Sequence, residues 1–140
     1  MLDGVSILIV EDEAIIAIEI AEAVEQAGGR VIGPVATVRE ALALVESEPL
    51  DAAILDASLR DRNVTPVLTI LLARGTPLVL HTGGGVPPEM QAYRKIIPLV
   101  GKPAPPEALI NSLSSQLASR DPTSVPGPLT FADRITRDID

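Results

Sequence analysis

The sequence contains no cysteine and almost no aromatic residues. Its 140 residues include one Tyr, one Phe and no Trp. Without cysteine, the chain has no disulfide, no thiolate nucleophile and no Cys-based metal site. Hydrophobic residues still make up 46% of the chain, so a core has to be built from Leu, Ile, Val and Ala.

Positive charge is also scarce, with 11 Lys and Arg against 19 Asp and Glu and a formal net charge of −8. A bulk charge of this sign opposes binding to nucleic acid or to an anionic membrane surface. No apolar run approaches the roughly 18 residues that span a membrane, and the first residues lack the basic region of a signal peptide. We therefore expect a cytoplasmic protein with neither nucleic acid nor membrane as a partner.

The length of the chain predicts one domain, which we place at residues 1–119. The composition changes after Ala118, where a proline-rich segment without clear periodicity begins. We interpret residues 120–140 as a C-terminal tail and expect no output domain.

Short β-rich runs alternate with helical patterns along the domain. The strands are predicted at residues 5–10, 31–35, 52–55, 78–80 and 96–100. Helices are predicted at 16–27, 37–47 and 65–75, more weakly at 89–94, and again through Leu109 and Leu113. Thr37 and Glu40 form a capping-box pattern for the second helix, and Thr65 is predicted to be the N-cap of the third, with Pro66 in its first turn.

Two prolines indicate the order of the strands. Alternating strands and helices predict a parallel sheet covered by helices on both faces. Pro34 falls in or just after the second strand and Pro98 inside the fifth, and proline is tolerated in edge strands rather than central ones. Strands two and five at the edges give the order 2-1-3-4-5, which is the order of an α/β, flavodoxin-like fold.

Polar residues follow four of these strands at their carboxyl ends. They are Glu11 and Asp12 after the first strand, Asp56 after the third, His81 and Thr82 at the fourth, and Lys102 after the fifth. Such ends meet at one edge of a parallel sheet, where carboxylates this close need a cation. Mg²⁺ prefers oxygen ligands of this kind, and a carboxylate can serve as nucleophile in phosphoryl transfer. The pattern indicates a metal-assisted phosphoryl site.

Each of these residues also has a simpler interpretation. Asp12 could cap the following helix, and Asp56 could begin an Asx-turn. Thr82 before glycine is typical of a turn, and Lys102 alone is typical of a solvated loop. We interpret His81 as a strand residue beside the site and not as a ligand. All of these interpretations would have to hold together to remove the site.

The ordered set of motifs resembles the receiver domain of response regulators. The motifs are "ILIVEDE", "AAILDASL", "VLHTG" and "VGKPAPPEAL", and the resemblance covers about residues 4–119. It implies that Asp56 is the phosphoacceptor and that Mg²⁺ is held by Asp12 and Asp56. It further implies that Glu11 acts on the metal through water and that Ser58 offers it a backbone carbonyl.

The resemblance also assigns the switch. Thr82 matches the hydroxyl that turns towards the phosphoryl group, and Lys102 matches the lysine that pairs with the acceptor, with a cis bond to Pro103. Many receivers carry Tyr or Phe where this chain has Leu99, so a coupled rotation of an aromatic ring is excluded. Residues 83–95 are rich in glycine and proline, which predicts a short, displaced or mobile helix there. The lack of an aromatic switch is similar to a single-domain subgroup from alphaproteobacteria.

The resemblance implies a stand-alone receiver that is phosphorylated on Asp56 by a sensor histidine kinase or a histidine phosphotransferase. It would catalyse only its own phosphorylation and dephosphorylation, signal to a downstream protein or act as a phosphate sink, and be a monomer or weak homodimer. Alternatives are a degenerate receiver that serves as an interaction module and, less favoured, an aspartyl phosphatase of the haloacid-dehalogenase type. A flavodoxin-like cofactor binder is least favoured, because no phosphate-binding loop follows the first strand.

Overall fold

A computed structural model describes residues 1–120, so the predicted tail lies outside the described residues apart from its first residue. The elements in chain order are β1 (Ser6–Val10), α1 (Ala14–Gln26), β2 (Arg30–Val35), α2 (Val38–Ser47), β3 (Ala52–Asp56), α3 (Thr65–Ala73), β4 (Leu78–Thr82), a 3₁₀ helix (Pro88–Tyr93), β5 (Leu99–Gly101) and α4 (Pro106–Ala118).

All strand pairs are parallel, and the strand order is β2-β1-β3-β4-β5. The predicted flavodoxin-like order is therefore confirmed, with β2 and β5 at the edges. Pro34 lies within β2 as predicted, but the placement of Pro98 inside the fifth strand is wrong, since β5 begins one residue later. Pro98 has no N–H to give to a ladder, and it contributes only its carbonyl oxygen, which accepts from Leu80 N at 2.9 Å.

Aliphatic side chains fill the space on both faces of the sheet. Alternate residues of each strand point to opposite faces, so β1 sends Leu8 towards α2 and α3 and Ile9 towards α1 and α4. Every residue of β1, β3 and β4 is buried. Central strands of this kind hold whatever follows their carboxyl ends in fixed positions.

The starts of the helices differ in how well they match the sequence patterns. Thr37 is the N-cap of α2, and its Oγ1 accepts from Glu40 N at 3.1 Å, as predicted. The prediction that Thr65 caps α3 is wrong, because Thr65 is the first residue of that helix. The N-cap is Val64, and the free N–H of Thr65 donates to Asn63 Oδ1 at 3.0 Å.

The glycine- and proline-rich segment forms no α-helix. Between β4 and β5 the only helical element is the six-residue 3₁₀ helix, which confirms the prediction of a short helix there. Met90 of this element is buried against the core beside α3, so the segment remains attached to the sheet.

Gln116 of α4 completes the sheet next to its short edge strand. Because Leu80 pairs with Leu99, the first residue of β5, no residue of β5 lies opposite Leu78. The Gln116 side chain fills this place: Oε1 accepts from Leu78 N at 3.2 Å and Nε2 donates to Leu78 O at 2.8 Å. The amide thus makes both hydrogen bonds that a neighbouring strand would make.

No helix within residues 1–120 has the length and apolar character needed to cross a bilayer.

Candidate functional site

Three carboxylates meet where β1 and β3 end. Glu11, Asp12 and Asp56 each place one oxygen within 4.8 Å of the others. They converge because β1 and β3 are parallel neighbours in register, with Val10 opposite Leu55. Glu11 and Asp56 are buried, whereas Asp12 is half-buried. The sequence analysis predicted this convergence from the strand ends.

The Glu11 carboxyl is buried, and one of its oxygens has no hydrogen-bond partner among residues 1–120. Burial raises the pKa of its carboxyl to about 8, and the neighbouring Asp56 carboxylate adds to the shift. Its Oε2 accepts from Glu13 N at 3.1 Å, but its Oε1 has no hydrogen-bond partner among residues 1–120. An unsatisfied buried oxygen beside two further carboxylates suits a hard divalent cation such as Mg²⁺.

Asp56 is held from two directions. Its Oδ1 accepts from Ser58 N at 3.2 Å, and its Oδ2 accepts from Lys102 Nζ at 3.1 Å. The first contact is the Asx-turn considered in the sequence analysis, so the turn and the site coexist. The alternative of a solvated loop charge is wrong for Lys102, because Nζ also lies 3.6 Å from Glu11 Oε1.

Lys102 contacts both Asp56 and the end of β4. Its backbone N donates to Thr82 O at 2.8 Å, which ties β5 to the end of β4. Burial alone would lower the pKa of its ammonium, but the hydrogen bond and charge of Asp56, with the charge of Glu11, outweigh this and raise the pKa. The Lys102–Pro103 bond is cis, as the resemblance implied.

The Thr82 hydroxyl is bonded to the loop that follows it. Oγ1 donates to Gly85 O at 2.9 Å and accepts from Gly84 N at 3.1 Å. The turn role considered for Thr82 is therefore present. Because the same hydroxyl lines the cavity that contains Asp56, a rotation towards Asp56 would break both bonds and release the loop.

The cavity over the three carboxylates measures about 500 Å³. One wall is the loop of residues 83–88, and the opposite wall includes Ser58 and Asn63. Glu89 joins the two walls, because its Oε2 accepts from Asn63 Nδ2 at 2.8 Å and from Thr65 Oγ1 at 3.2 Å. These contacts lower the pKa of Glu89, the bond from Asn63 most of all.

Five of the six predicted site residues line this cavity, and Glu11 places an oxygen within 4.8 Å of oxygens of Asp12 and Asp56. Ser58 lines the cavity and forms an isolated bridge with Asn63, although the role of its carbonyl as a metal ligand stays a prediction. Asp12 is not the N-cap of α1, since that position belongs to Glu13. Glu13 directly precedes the first turn of α1.

The sequence analysis missed two residues. Arg60 reaches across the site from the β3–α3 loop, where its Nη2 donates to Asp12 O at 3.4 Å. Glu89 was taken only as the start of a weak helix. No spacing in the sequence relates either residue to its partner, because both contacts cross between loops.

Leu99, at the position where many receivers carry an aromatic ring, begins the edge strand β5 and is 42% exposed. The short aliphatic side chain leaves no ring to move between an outer and an inner position. The Thr82 hydroxyl is bonded instead to Gly84 and Gly85 of the following loop.

Solved structures resemble this chain over most of its length. SdrG from Sphingomonas melonis Fr1 is 37% identical, with a TM-score of 0.68, and the match covers 84% of this chain and 99% of that one. A CheY-like response regulator receiver domain protein from Methanospirillum hungatei JF-1 is 26% identical, with a TM-score of 0.72, over 84% and 96% of the two chains.

The anti-anti-sigma factor PhyR from Bartonella quintana is 26% identical, with a TM-score of 0.66. That match covers 87% of this chain but only 52% of PhyR. No family model matches the chain, and no curated protein matches it.

Proposed function

Because the chain belongs to the response-regulator receiver family, we propose that it accepts a phosphoryl group on Asp56 from a histidine kinase or a histidine phosphotransferase. The observation that supports this most directly is the setting of Asp56. Its carboxylate is only 4% exposed, borders an open cavity and is held between Lys102 Nζ and Ser58 N.

The chain's own groups position the acceptor and stabilise charge. An oxygen of the Asp56 carboxylate attacks phosphorus, the phosphorus–nitrogen bond of the donor breaks, and an acyl phosphate forms. Lys102 Nζ neutralises negative charge on the transferred group, and the Thr82 hydroxyl donates a hydrogen bond to it. A bound Mg²⁺ supplies positive charge at the phosphoryl oxygens, and Glu11, Asp12, Asp56 and the Ser58 carbonyl would hold it.

Phosphorylation then acts on the loop side of the site. It adds negative charge at Asp56, and the Thr82 hydroxyl leaves Gly84 and Gly85 to reach it. The residues 83–95 are reshaped, and a downstream protein reads that surface, or the domain serves as a phosphate sink. On this proposal the chain catalyses only its own phosphorylation and dephosphorylation.

The assembled site favours this function over the alternatives. A fixed interaction module has no need of a buried carboxylate trio facing a lysine, since burying such charges costs free energy. An aspartyl phosphatase of the haloacid-dehalogenase type is disfavoured by the position of Asp56 along the chain. The nucleophile of that class would follow the first strand, whereas Asp56 ends the third.

The phosphodonor needs a surface beside Asp56, and α1 provides one. Ile15 and Ile18 lie one turn apart near the start of this helix, which begins two residues after Asp12, and are 74% and 56% exposed. Side chains of this kind are suited to an apolar helix face of the donor protein. Ile18→Glu should slow transfer from a purified cognate kinase by about tenfold or more. The exposed Glu46→Gln on α2, which packs on the other face of the sheet, is the control, and equal rates for both variants would contradict this surface.

Beryllofluoride, a phosphoryl analogue, tests the main proposal. Amide spectra of the ¹⁵N-labelled protein are recorded while beryllofluoride is added with Mg²⁺, and again without Mg²⁺. We expect Mg²⁺-dependent shifts at Thr82 and residues 83–95 in the wild type and none in Asp56→Asn. No response in the wild type, or an equal one in the variant, would refute the proposal.

A further inference from the structure

A second cavity lies behind the acceptor site, between α1 and the start of α4. It measures about 460 Å³, which is within the range of pockets that hold small organic ligands. Its apolar walls are Ile16, Ile20, Pro103, Ala104, Pro106 and Leu109. The floor is rigid, because Ile20 and Leu109 are core residues with 1% and 0% exposure.

The sequence explains why this space is open. Ile16 and Ile20 are four residues apart and share one face of α1, and the chain opposite them carries the small Ala104 between two prolines. No Phe, Tyr or Trp lines the cavity. A composition this poor in large aromatic side chains leaves the space between the aliphatic walls unfilled.

His81 gives the cavity an unsatisfied polar group. The residue is 3% exposed and lines the cavity, and neither ring nitrogen has a hydrogen-bond partner within the described part of the chain. Burial lowers the pKa of His81, and the charge on Lys102 lowers it further. A neutral imidazole offers one donor and one acceptor, and leaving both unused is costly in a buried place.

The charges around the cavity select the ligand. Glu13 and Glu19 are exposed residues that line it, and neither forms a salt bridge with a cation of residues 1–120. Lys102 also lines it, but its Nζ is already engaged by Asp56 and Glu11. The lining therefore carries two carboxylates and one ammonium, and its net charge is negative.

We propose that this cavity binds a small organic cation with a flat apolar body, a hydrogen-bonding group that meets His81 and an amine that lies near Glu13 and Glu19. The inference does not depend on phosphorylation of Asp56. It rests on the unpartnered imidazole, the aliphatic walls and the acidic mouth taken together.

Tyramine is the probe, because it has a phenol hydroxyl at one end and an ammonium at the other. Titration into the ¹⁵N-labelled full-length protein should give saturable shifts at the amides of Ile20, His81, Ala104 and Leu109, with a Kd of about 1 mM or below.

Two matched probes test the two polar ends. Phenethylamine lacks the hydroxyl and should bind about fivefold more weakly. 3-(4-Hydroxyphenyl)propionate replaces the amine with a carboxylate and should show no saturation over the same range. If the carboxylate probe binds as well as tyramine, the proposal of a cation site is overturned.

Two variants test the residues. Glu19→Gln should weaken tyramine about threefold, while Glu22→Gln, on the same helix but outside the cavity, should leave the Kd unchanged. In His81→Leu the preference for tyramine over phenethylamine should disappear. No saturable shifts, shifts away from the cavity, or equal effects of Glu19→Gln and Glu22→Gln would each overturn the proposal and leave a cavity that holds only water.

Discussion

Glu11, Asp12 and Asp56 follow buried strands in the middle of the sheet, whereas Thr82 leads into three consecutive glycines on the side of a short edge strand. We call the first group the acidic side of the site and the segment from Thr82 to Gly85 its loop side. The acidic side is held by strand pairing on both flanks. On the loop side only Thr82 is held by strand pairing, with Gly101 of β5, while Gly84 and Gly85 are bonded to the Thr82 hydroxyl. The three carboxylates of the acidic side are thus fixed by the sheet, whereas the glycines of the loop side are weakly restrained.

Lys102 is the link between these two sides. Its backbone bonds to Thr82 and its side chain to Asp56. A change of charge at the acidic side therefore acts through Lys102 on the end of β4. The predictions below separate the two sides, beginning with the largest expected effect.

Removing a carboxylate from the acidic side should destroy metal binding without harming the fold. We expect Asp12→Asn to raise the Kd for Mg²⁺ about a hundredfold, because a charged oxygen ligand is lost. The free energy of unfolding without metal should stay the same or rise, since like-charge repulsion falls. Calorimetric titration and urea unfolding measure the two quantities. Glu22→Gln is the control, and a similar loss of affinity in that variant would show that only bulk charge matters.

The acidic side should also make metal binding depend on pH. The raised pKa of Glu11 means that its proton is retained in the folded protein up to about pH 8, and a nearby cation displaces it. Below about pH 8, the Kd for Mg²⁺ should therefore fall by up to about tenfold for each unit by which the pH is raised. Without metal, the stability gained from this group is present below its ordinary pKa of 4.5 and is lost as the pH rises through about 8. Calorimetric titration at several pH values tests this, and Glu11→Gln should flatten the dependence.

On the loop side, Thr82→Val removes the hydroxyl while keeping its shape. Gly84 N and Gly85 O then lose their partner, which should lower the free energy of unfolding by about 1–2 kcal/mol. The Kd for Mg²⁺ should stay within a factor of two of the wild type, because no oxygen of the acidic side changes. Thr82→Ser keeps the hydroxyl and is the control. A strong loss of metal affinity in Thr82→Val would contradict the division into two sides.

A single methyl group in the loop gives the smallest effect. Gly85 has a φ of +89° and Gly84 does not have a positive φ, while a Cβ at either position would meet nothing within 4 Å. Gly85→Ala should therefore lower the free energy of unfolding by about 1 kcal/mol through backbone strain alone. Gly84→Ala is the matched control and should cost less. Urea unfolding compares them, and equal losses would show that positive φ is not the cause.

Most of the acidic side could be predicted from the sequence because parallel strands bring their carboxyl ends to one edge. Asp56 lies 44 residues after Asp12, yet register alone brings the two side chains together. The loop side was predictable only in outline. Glycine and proline indicated that an α-helix would fail between β4 and β5, but not that Thr82 would bond to Gly85.

Contacts between loops account for the remaining differences. Asp61 caps α2 from the β3–α3 loop, with its oxygens accepting from Val38 N and Arg39 N at 3.0 and 3.2 Å. At α3, Val64 is the N-cap, and the Asn63 side chain accepts from Thr65 N. The residues in such pairs are not separated by any regular spacing along the chain, so the sequence does not indicate them. The isolation of His81 is of the same kind, since it depends on how α1 and α4 pack.

The hydrogen bonds of Gln116 have a consequence for how copies of this protein behave in a crowded solution. An unpaired stretch of edge backbone is a template on which another molecule can add a strand. By satisfying both backbone groups of Leu78, a helix side chain closes that template where β5 is too short to do so. Although the edge strand is only three residues long, the backbone of Leu78 beyond its end is therefore not available to pair with a second molecule.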